Sequence, residues 1–202
     1  MNPTVTFDVV DGIAFTFVNG VKGLLNQNDA AVIRKHALEL PVNGKYVETG
    51  TYLGCSALLV ALHSKATVWA HDIWAEQWEN NKDASEKECI KTDNFFYEFY
   101  KGVKKNNLQN RVIPIRGDSA YTVGIHDPES IDLAFIDGDH TYEGALKDFR
   151  NVYPLMKKGG IILAHDCQPN SPPRAAITKF ASENNLTFEV YPYTTGLARI
   201  VV

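Results

Sequence analysis

Apolar and polar positions fall into two alternating rhythms along the chain. Short apolar runs of strand length lie at Lys45–Thr49, Thr67–Asp72, Arg111–Arg116, Ile131–Ile136 and Gly160–Ala164. The last two are almost continuously apolar, as expected of strands buried on both faces of a sheet. Between the runs the spacing becomes helical. Ser56 to Leu62 reads as one helix, and Ala145, Phe149, Val152, Tyr153 and Met156 recur on one face of another, which Gly159-Gly160 is expected to close. Pro114 withholds an N–H from its run, so that strand is predicted at an edge. A repeating βα unit implies an α/β fold with a mostly parallel sheet and right-handed crossovers. The tail breaks the rhythm. Leu186–Tyr193 and Leu197–Val202 are joined only by Thr194-Thr195-Gly196, a link too short for anything but an antiparallel pair.

Two stretches stand outside these units. Residues 1 to about 40 have a mixed start followed by a helix near Asp29–Leu40. Residues 74–93 lengthen the second crossover and carry six acidic residues, three basic residues and two tryptophans. They read either as a solvated helical insertion or as a lid or substrate wall using Trp74 and Trp78. The expected organisation is one domain over 1–202: an N-terminal helical or cap segment at 1–43, and a core at 44–202 interrupted by the insertion.

Composition narrows the partners. With 20 Lys plus Arg against 24 Asp plus Glu, the net charge is -4. Nucleic acid is therefore not expected, because binding its backbone needs a concentrated positive field. No apolar run approaches the roughly 20 residues that span a bilayer, so no membrane partner is expected. Met1 to Val5 lacks the basic-then-apolar pattern of a signal peptide. Cys55, Cys89 and Cys167 are odd in number and scattered, which fits a reducing, cytoplasmic location. The expected partner is a small-molecule substrate, with a homodimer as one expected assembly.

Ligands of open α/β sheets bind beyond the carboxyl ends of the strands. Here those ends are rich in chemistry: Glu48-Thr49-Gly50-Thr51-Tyr52-Leu53-Gly54, Asp72, Gly117-Asp118-Ser119, Asp137-Gly138-Asp139-His140 and His165-Asp166. A lone Asp in such a place is usually a helix cap or turn residue. Five acidic exits on one edge make a site the better reading. Gly50 and Gly54 permit a tight turn beside a helix N-terminus. Asp72 lies 22 residues after Gly50, where a carboxylate can accept from both hydroxyls of a ribose. The ligand is thus of adenosine type. The Gly50-x-x-x-Gly54 spacing departs from the G-x-G-x-x-G of nicotinamide sites, and Glu48 would repel a pyrophosphate. It suits an ammonium or sulfonium group instead, as in S-adenosylmethionine.

At this point the sequence resembles the class I S-adenosylmethionine-dependent methyltransferases. Tyr46-Val47-Glu48-Thr49-Gly50-Thr51-Tyr52-Leu53-Gly54-Cys55-Ser56 is similar to their first motif. Phe135-Ile136-Asp137-Gly138-Asp139-His140-Thr141-Tyr142-Glu143-Gly144 and Gly159-Gly160-Ile161-Ile162-Leu163-Ala164-His165-Asp166 resemble the small-molecule O-methyltransferase branch, which includes sugar methyltransferases. The resemblance covers about residues 44 to 202. It implies a Rossmann-like, seven-stranded sheet with an antiparallel C-terminal hairpin and helices on both faces. It also implies that Glu48, Gly50, Tyr52 and Ser56 surround the methionine half of the cofactor. Asp72 would hold the ribose and Ile73 would pack on the adenine. The Gly117-Asp118-Ser119 turn would contact the adenine edge, and Asp137 would be shared between the cofactor pocket and a metal site.

Methyl transfer is an in-line displacement, so the enzyme must align the acceptor and remove its proton. Two routes suit these residues. Asp137 and Asp166 would hold a divalent cation such as Mg²⁺, with His165 or Asp139 as a third ligand. Alternatively or additionally, His140 would act as general base. The unusual sequence His165-Asp166-Cys167, where metal-dependent members follow the Asp corresponding to Asp166 with a second Asp or Asn, leaves a metal-free site open. Cys55 and Cys167 read as packing residues, and His36, His63 and His126 show no clustering in sequence. The expected activity is methylation of a hydroxyl on a sugar or polyol-like metabolite. The alternatives are an NAD(P)-dependent oxidoreductase and a cofactor-binding domain without catalysis.

Overall fold

A computed structural model describes residues 3–10, 13–74 and 94–202 of the chain. Ten strands form two sheets among these residues. β4 (Lys45–Thr49), β5 (Thr67–Asp72), β6 (Val112–Arg116), β7 (Ile131–Ile136), β8 (Met156–Ala164), β9 (Phe188–Val190) and β10 (Ala198–Val201) make the larger one. Its order is β6-β5-β4-β7-β8-β10-β9. Strands β4 to β8 run parallel, while β10 pairs antiparallel with both β8 and β9. The expected Rossmann-like sheet and terminal hairpin are thus present, with the last strand inserted between its partner and the parallel set. β6, which carries Pro114, lies at the edge, where a missing N–H breaks no second ladder.

The strand order reverses between β4 and β7, and the alternation along those two strands builds both cores. Tyr46, Leu133, Phe135 and Leu163 point to one face, with Ile33, Leu58 and Phe99. Val47, Ala134, Ile136 and Ile162 point to the other, with Phe149 and Phe180. The α-helices among the described residues are α1 (Gln27–Glu39), α2 (Cys55–His63), α3 (Phe95–Lys105), α4 (Ser119–Thr122), α5 (Tyr142–Val152) and α6 (Pro172–Glu183). Phe149 of α5 stacks on Phe180 of α6 at 5.3 Å, which locks those two helices over the second face.

Three details differ from the sequence reading. The helix expected to include Tyr153 and Met156 ends at Val152, followed by a 3₁₀ turn at Tyr153–Leu155. Pro154 sits inside that turn and supplies no N–H to a continuing α-helix. Met156 instead opens β8, and Gly159-Gly160 lie inside the strand. Between the pairs Ile131–Met156 and Leu133–Ile161, one residue of β7 faces four of β8, a bulge that Gly159 (φ +80°) makes possible.

The N-terminal segment is the second difference. Besides its helix it contains a meander of β1 (Val5–Val10), β2 (Ile13–Val18) and β3 (Val21–Gly23). A signal for it exists: Asn19-Gly20, both at positive φ, is the preferred two-residue hairpin turn. Val18 and Leu25 join the same core as Leu58 and Phe99. α1 starts two residues earlier than expected, capped reciprocally by Asn26 and Asp29, a device worth about 1 kcal/mol.

The third concerns Trp74. It is not a lid residue: it is 6% exposed, stacks on Phe99 at 5.0 Å, and donates its indole N–H to the Tyr52 carbonyl. Trp78 and the remainder of the insertion, 75–93, lie outside the described residues, as does Cys89. No described helix is long and apolar enough to cross a membrane.

Candidate active site

The carboxyl ends of β4, β5, β6, β7 and β8 bring the expected site residues to one edge of the sheet. β4 delivers Glu48, which is completely buried. Tyr46 donates its hydroxyl to one carboxylate oxygen and Ser56 donates to the other at 2.8 Å. Burial pushes the Glu48 carboxyl up to about 8, although both hydrogen bonds pull it down. Tyr46 is a partner that spacing alone did not single out, because its side chain faces the core like any strand aromatic.

The loop after β4 is shaped by two glycines with different duties. Gly50 has φ +82°, and a Cβ there would lie 2.0 Å from the Asp137 carbonyl, so it lets the β4 and β7 loops touch. Gly54 also has φ +82°, but its Cβ would meet the Phe99 ring at 2.4 Å. The second glycine therefore serves helix packing. Asp72, at the end of β5, accepts from the Tyr52 N–H at 2.7 Å and from the Trp74 N–H at 2.6 Å. It ties the first loop to its own strand exit. Ile73 follows it, 42% exposed.

After β6, Gly117 (φ +146°) donates its N–H to the Asp72 carbonyl. Asp118 caps α4 through the Ala120 N–H. Ser119 donates its hydroxyl to Asp148 at 2.7 Å, and Thr49 donates to the other oxygen of the same carboxylate at 2.9 Å. Asp148 is 3% exposed. Burial raises its pKa, against the lowering effect of the two hydroxyls. Helical position alone makes it an unremarkable polar residue of α5; only folding places it under three loops.

His126 corrects another expectation. Its Nε2 lies 3.0 Å from Nε2 of His71 on β5, whose Nδ1 meets the Thr122 hydroxyl. Burial depresses both rings, His71 to about 3 and His126 to about 4. The pair is neutral and anchors α4 to the sheet. His36 is likewise paired, with Glu39 and Tyr191. The two described thiols are buried and pushed up, Cys167 to about 12, which suits packing rather than nucleophilic chemistry.

The chemistry concentrates beyond β7 and β8. His140 Nε2 stands 3.5 Å from Asp137 and 3.4 Å from Asp166. One ligand atom from each of these three lies within 4.8 Å of the others. The third member is thus His140. Asp139 turns away, accepting from the Thr141 N–H and packing against Gly144. His165 lies beneath, its Nδ1 3.4 Å from Asp137 and 3.3 Å from Asp166. Its pKa is well above the usual imidazole range: burial opposes the charge, but the facing carboxylates prevail. The Asp137 bond raises His140 likewise, against burial. Burial alone would raise Asp137 and Asp166, yet the imidazoles hold both carboxyls below their ordinary range. Two carboxylate oxygens and one imidazole nitrogen form a donor set that fits a hard or borderline divalent cation.

Comparison with known proteins agrees with this geometry. Residues 47–167 match a family described as a methyltransferase domain. An uncharacterised protein of Acanthamoeba polyphaga mimivirus is 31% identical over 126 residues, which cover 61% of this chain and 51% of that protein. The chain therefore spans about half the length of that curated relative. Among solved structures, the O-methyltransferase NovP superposes with a TM-score of 0.70 at 18% identity, over 91% of this chain and 82% of NovP. The O-methyltransferase from Bacillus cereus in complex with SAH gives 0.64 at 18% identity, over 88% and 81%. The chain belongs to the methyltransferase-domain family, and its fold is that of the class I S-adenosylmethionine-dependent methyltransferases.

Proposed function

We propose that the chain transfers the methyl group of S-adenosylmethionine to a hydroxyl oxygen of a small molecule of the sugar or polyol class. The observation that carries this reading is the meeting of Asp137, His140 and Asp166 on the same sheet edge as Glu48 and Asp72. The O-methyltransferase neighbours support it. The acidic lining also suits a cationic cofactor and disfavours a polyanionic acceptor.

In the reaction the acceptor oxygen forms a bond to the methyl carbon as the sulfur–carbon bond breaks, and the hydroxyl proton must leave. Glu48, Gly50, Tyr52 and Ser56 would surround the methionine half of the cofactor. Asp72, Ile73 and the Gly117–Ser119 turn would hold its adenosine half. Asp137, His140 and Asp166 would hold a divalent cation such as Mg²⁺, which when bound lowers the pKa of a coordinated hydroxyl. A second reading has its own support in the pairing of His140 with both carboxylates. There His140 takes the proton itself and the two Asp side chains orient its ring.

Thermal-shift titration tests the cofactor. Stabilisation by S-adenosylhomocysteine and none by NAD supports methyl transfer, and the reverse overturns it in favour of an oxidoreductase. Transfer of labelled methyl to a panel of sugars and polyols then tests the acceptor. Asp137→Asn and His140→Ala are expected to cost roughly 100-fold or more in kcat, at the lower end of general acid–base contributions. Unchanged rates in both variants would reduce the cluster to a structural role. Full activity after dialysis against EDTA selects the His140 base. Loss restored by Mg²⁺ or Mn²⁺ selects the cation.

A further inference from the structure

The active cluster is tied to the N-terminal helix and the C-terminal turn through a chain of buried polar groups. Asp29, in the first turn of α1, is fully buried. Its reciprocal cap with the Asn26 N–H accounts for one contact. A cap does not need the others. Asp29 Oδ1 accepts from the Thr195 N–H at 3.0 Å and Oδ2 from the Thr195 hydroxyl at 2.6 Å, across 166 positions of sequence. The same hydroxyl oxygen lies 2.7 Å from Nε2 of His165, a ring only 7% exposed.

The proton count along this chain has one solution. A threonine hydroxyl carries a single proton, and an ionised carboxylate can only accept. Asp29 already accepts two backbone N–H groups, from Asn26 and Thr195, an arrangement that favours the ionised carboxylate, so the hydroxyl proton points to Asp29. The Thr195 oxygen must then accept from His165 Nε2–H. Nδ1 faces Asp137 and Asp166, which likewise only accept, so it too presents an N–H.

The turn that presents Thr195 is itself clamped. Asn28 donates to the Tyr193 carbonyl at 2.7 Å, and Gln168 donates to the Thr195 carbonyl at 2.9 Å. Gly196, at φ +77°, brings the turn so close to Cys167 and Gln168 that a Cβ would fall 2.5 Å from the Gln168 nitrogen. We propose that Asp29 and Thr195 are positioning residues for catalysis: they hold the His165 ring through Nε2–H, so that its Nδ1–H faces both Asp137 and Asp166 and fixes their relative placement. This rests on the reading that those carboxylates act on the acceptor.

Two measurements test it, one independent of turnover. Long-range proton–nitrogen NMR of the histidine-labelled full chain should show His165 protonated at both Nε2 and Nδ1. A neutral ring, bare at either nitrogen, overturns the proposal, whatever the enzyme's acceptor. In kinetics, Thr195→Val is expected to lower kcat by roughly 10- to 100-fold, as for other residues that orient active-site ligands. The KM for S-adenosylmethionine should stay unchanged, and Thr195→Ser should restore the rate to within a few-fold. Wild-type kcat in Thr195→Val, or a Thr195→Ser variant that melts like the parent yet is as slow as Thr195→Val, overturns it. If Thr195→Val does not fold, the NMR result and the rate of Thr195→Ser decide, with a slow but stably folded serine variant counting against the proposal.

Discussion

Glu48 shows how much a residue's chemistry depends on where folding leaves it. In sequence it is a carboxylate ahead of a glycine turn, suited to a cationic ligand. In the fold it is enclosed, held by Tyr46 and Ser56, with its pKa pushed up to about 8. A folded-state pKa raised above the unfolded value near 4.5 means the folded form retains a proton that the unfolded chain releases. Its stabilising effect is therefore complete below the unfolded pKa and declines as pH rises to about 8. Urea melts of the ligand-free protein should show stability falling across that window, with a shallower fall in Glu48→Gln. A cationic cofactor reverses the preference, because it favours the ionised carboxylate. S-adenosylmethionine affinity should accordingly rise with pH up to about 8, with proton release on binding, measurable by calorimetry in buffers of different ionisation enthalpy. Affinity independent of pH in this range would show that Glu48 does not sense the cofactor's charge.

At the level of elements, most of the sheet was legible because strand burial writes itself into local patterns. Ile131–Ile136 is apolar at all but Asp132 since both faces are covered, and Pro114 marks its strand as an edge. The hairpin's short connection left only one orientation. What local pattern did not reveal was why particular glycines are present. Gly54 and Gly159 share nearly the same φ, yet a Cβ at Gly54 collides with Phe99 while one at Gly159 meets nothing within 4 Å. Gly159→Ala should thus cost about 1–2 kcal/mol, the penalty of the left-handed backbone alone. Gly54→Ala should cost that plus about 1–3 kcal/mol for overpacking. Equal melting temperatures in the two variants would show that α3 yields to the extra methyl. Trp74 makes the same point: its acidic stretch read either as a solvated insertion or as a lid or substrate wall, and only the packing of α3 shows the tryptophan to be core.

Across the whole molecule, the site is an assembly of chain segments far apart in sequence. Asp148 joins three of them: it holds Thr49 and Ser119 by hydrogen bonds and lies against Gly138. Asp148→Ala would leave two hydroxyls without their acceptor and is expected to destabilise the fold by about 1–3 kcal/mol. S-adenosylhomocysteine binding should weaken in the same variant, because the loops after β4, β6 and β7 lose their common tether. Calorimetric titration would register this, and wild-type affinity would show that the loops hold their places without it. The sequence by itself determined the fold class, the edge at which the polar residues gather and the acidic character of that edge, since these follow from periodicity and from short-range turn chemistry. Tertiary structure alone decided which acids burial raises and which the imidazoles hold down, that His140 rather than Asp139 completes the cluster, and that Asp29 and Thr195 reach His165. Hydrogen bonds between groups 166 positions apart leave no local pattern to read. Burial, which sets their strength and the pKa values around them, exists only once both faces of the sheet are covered.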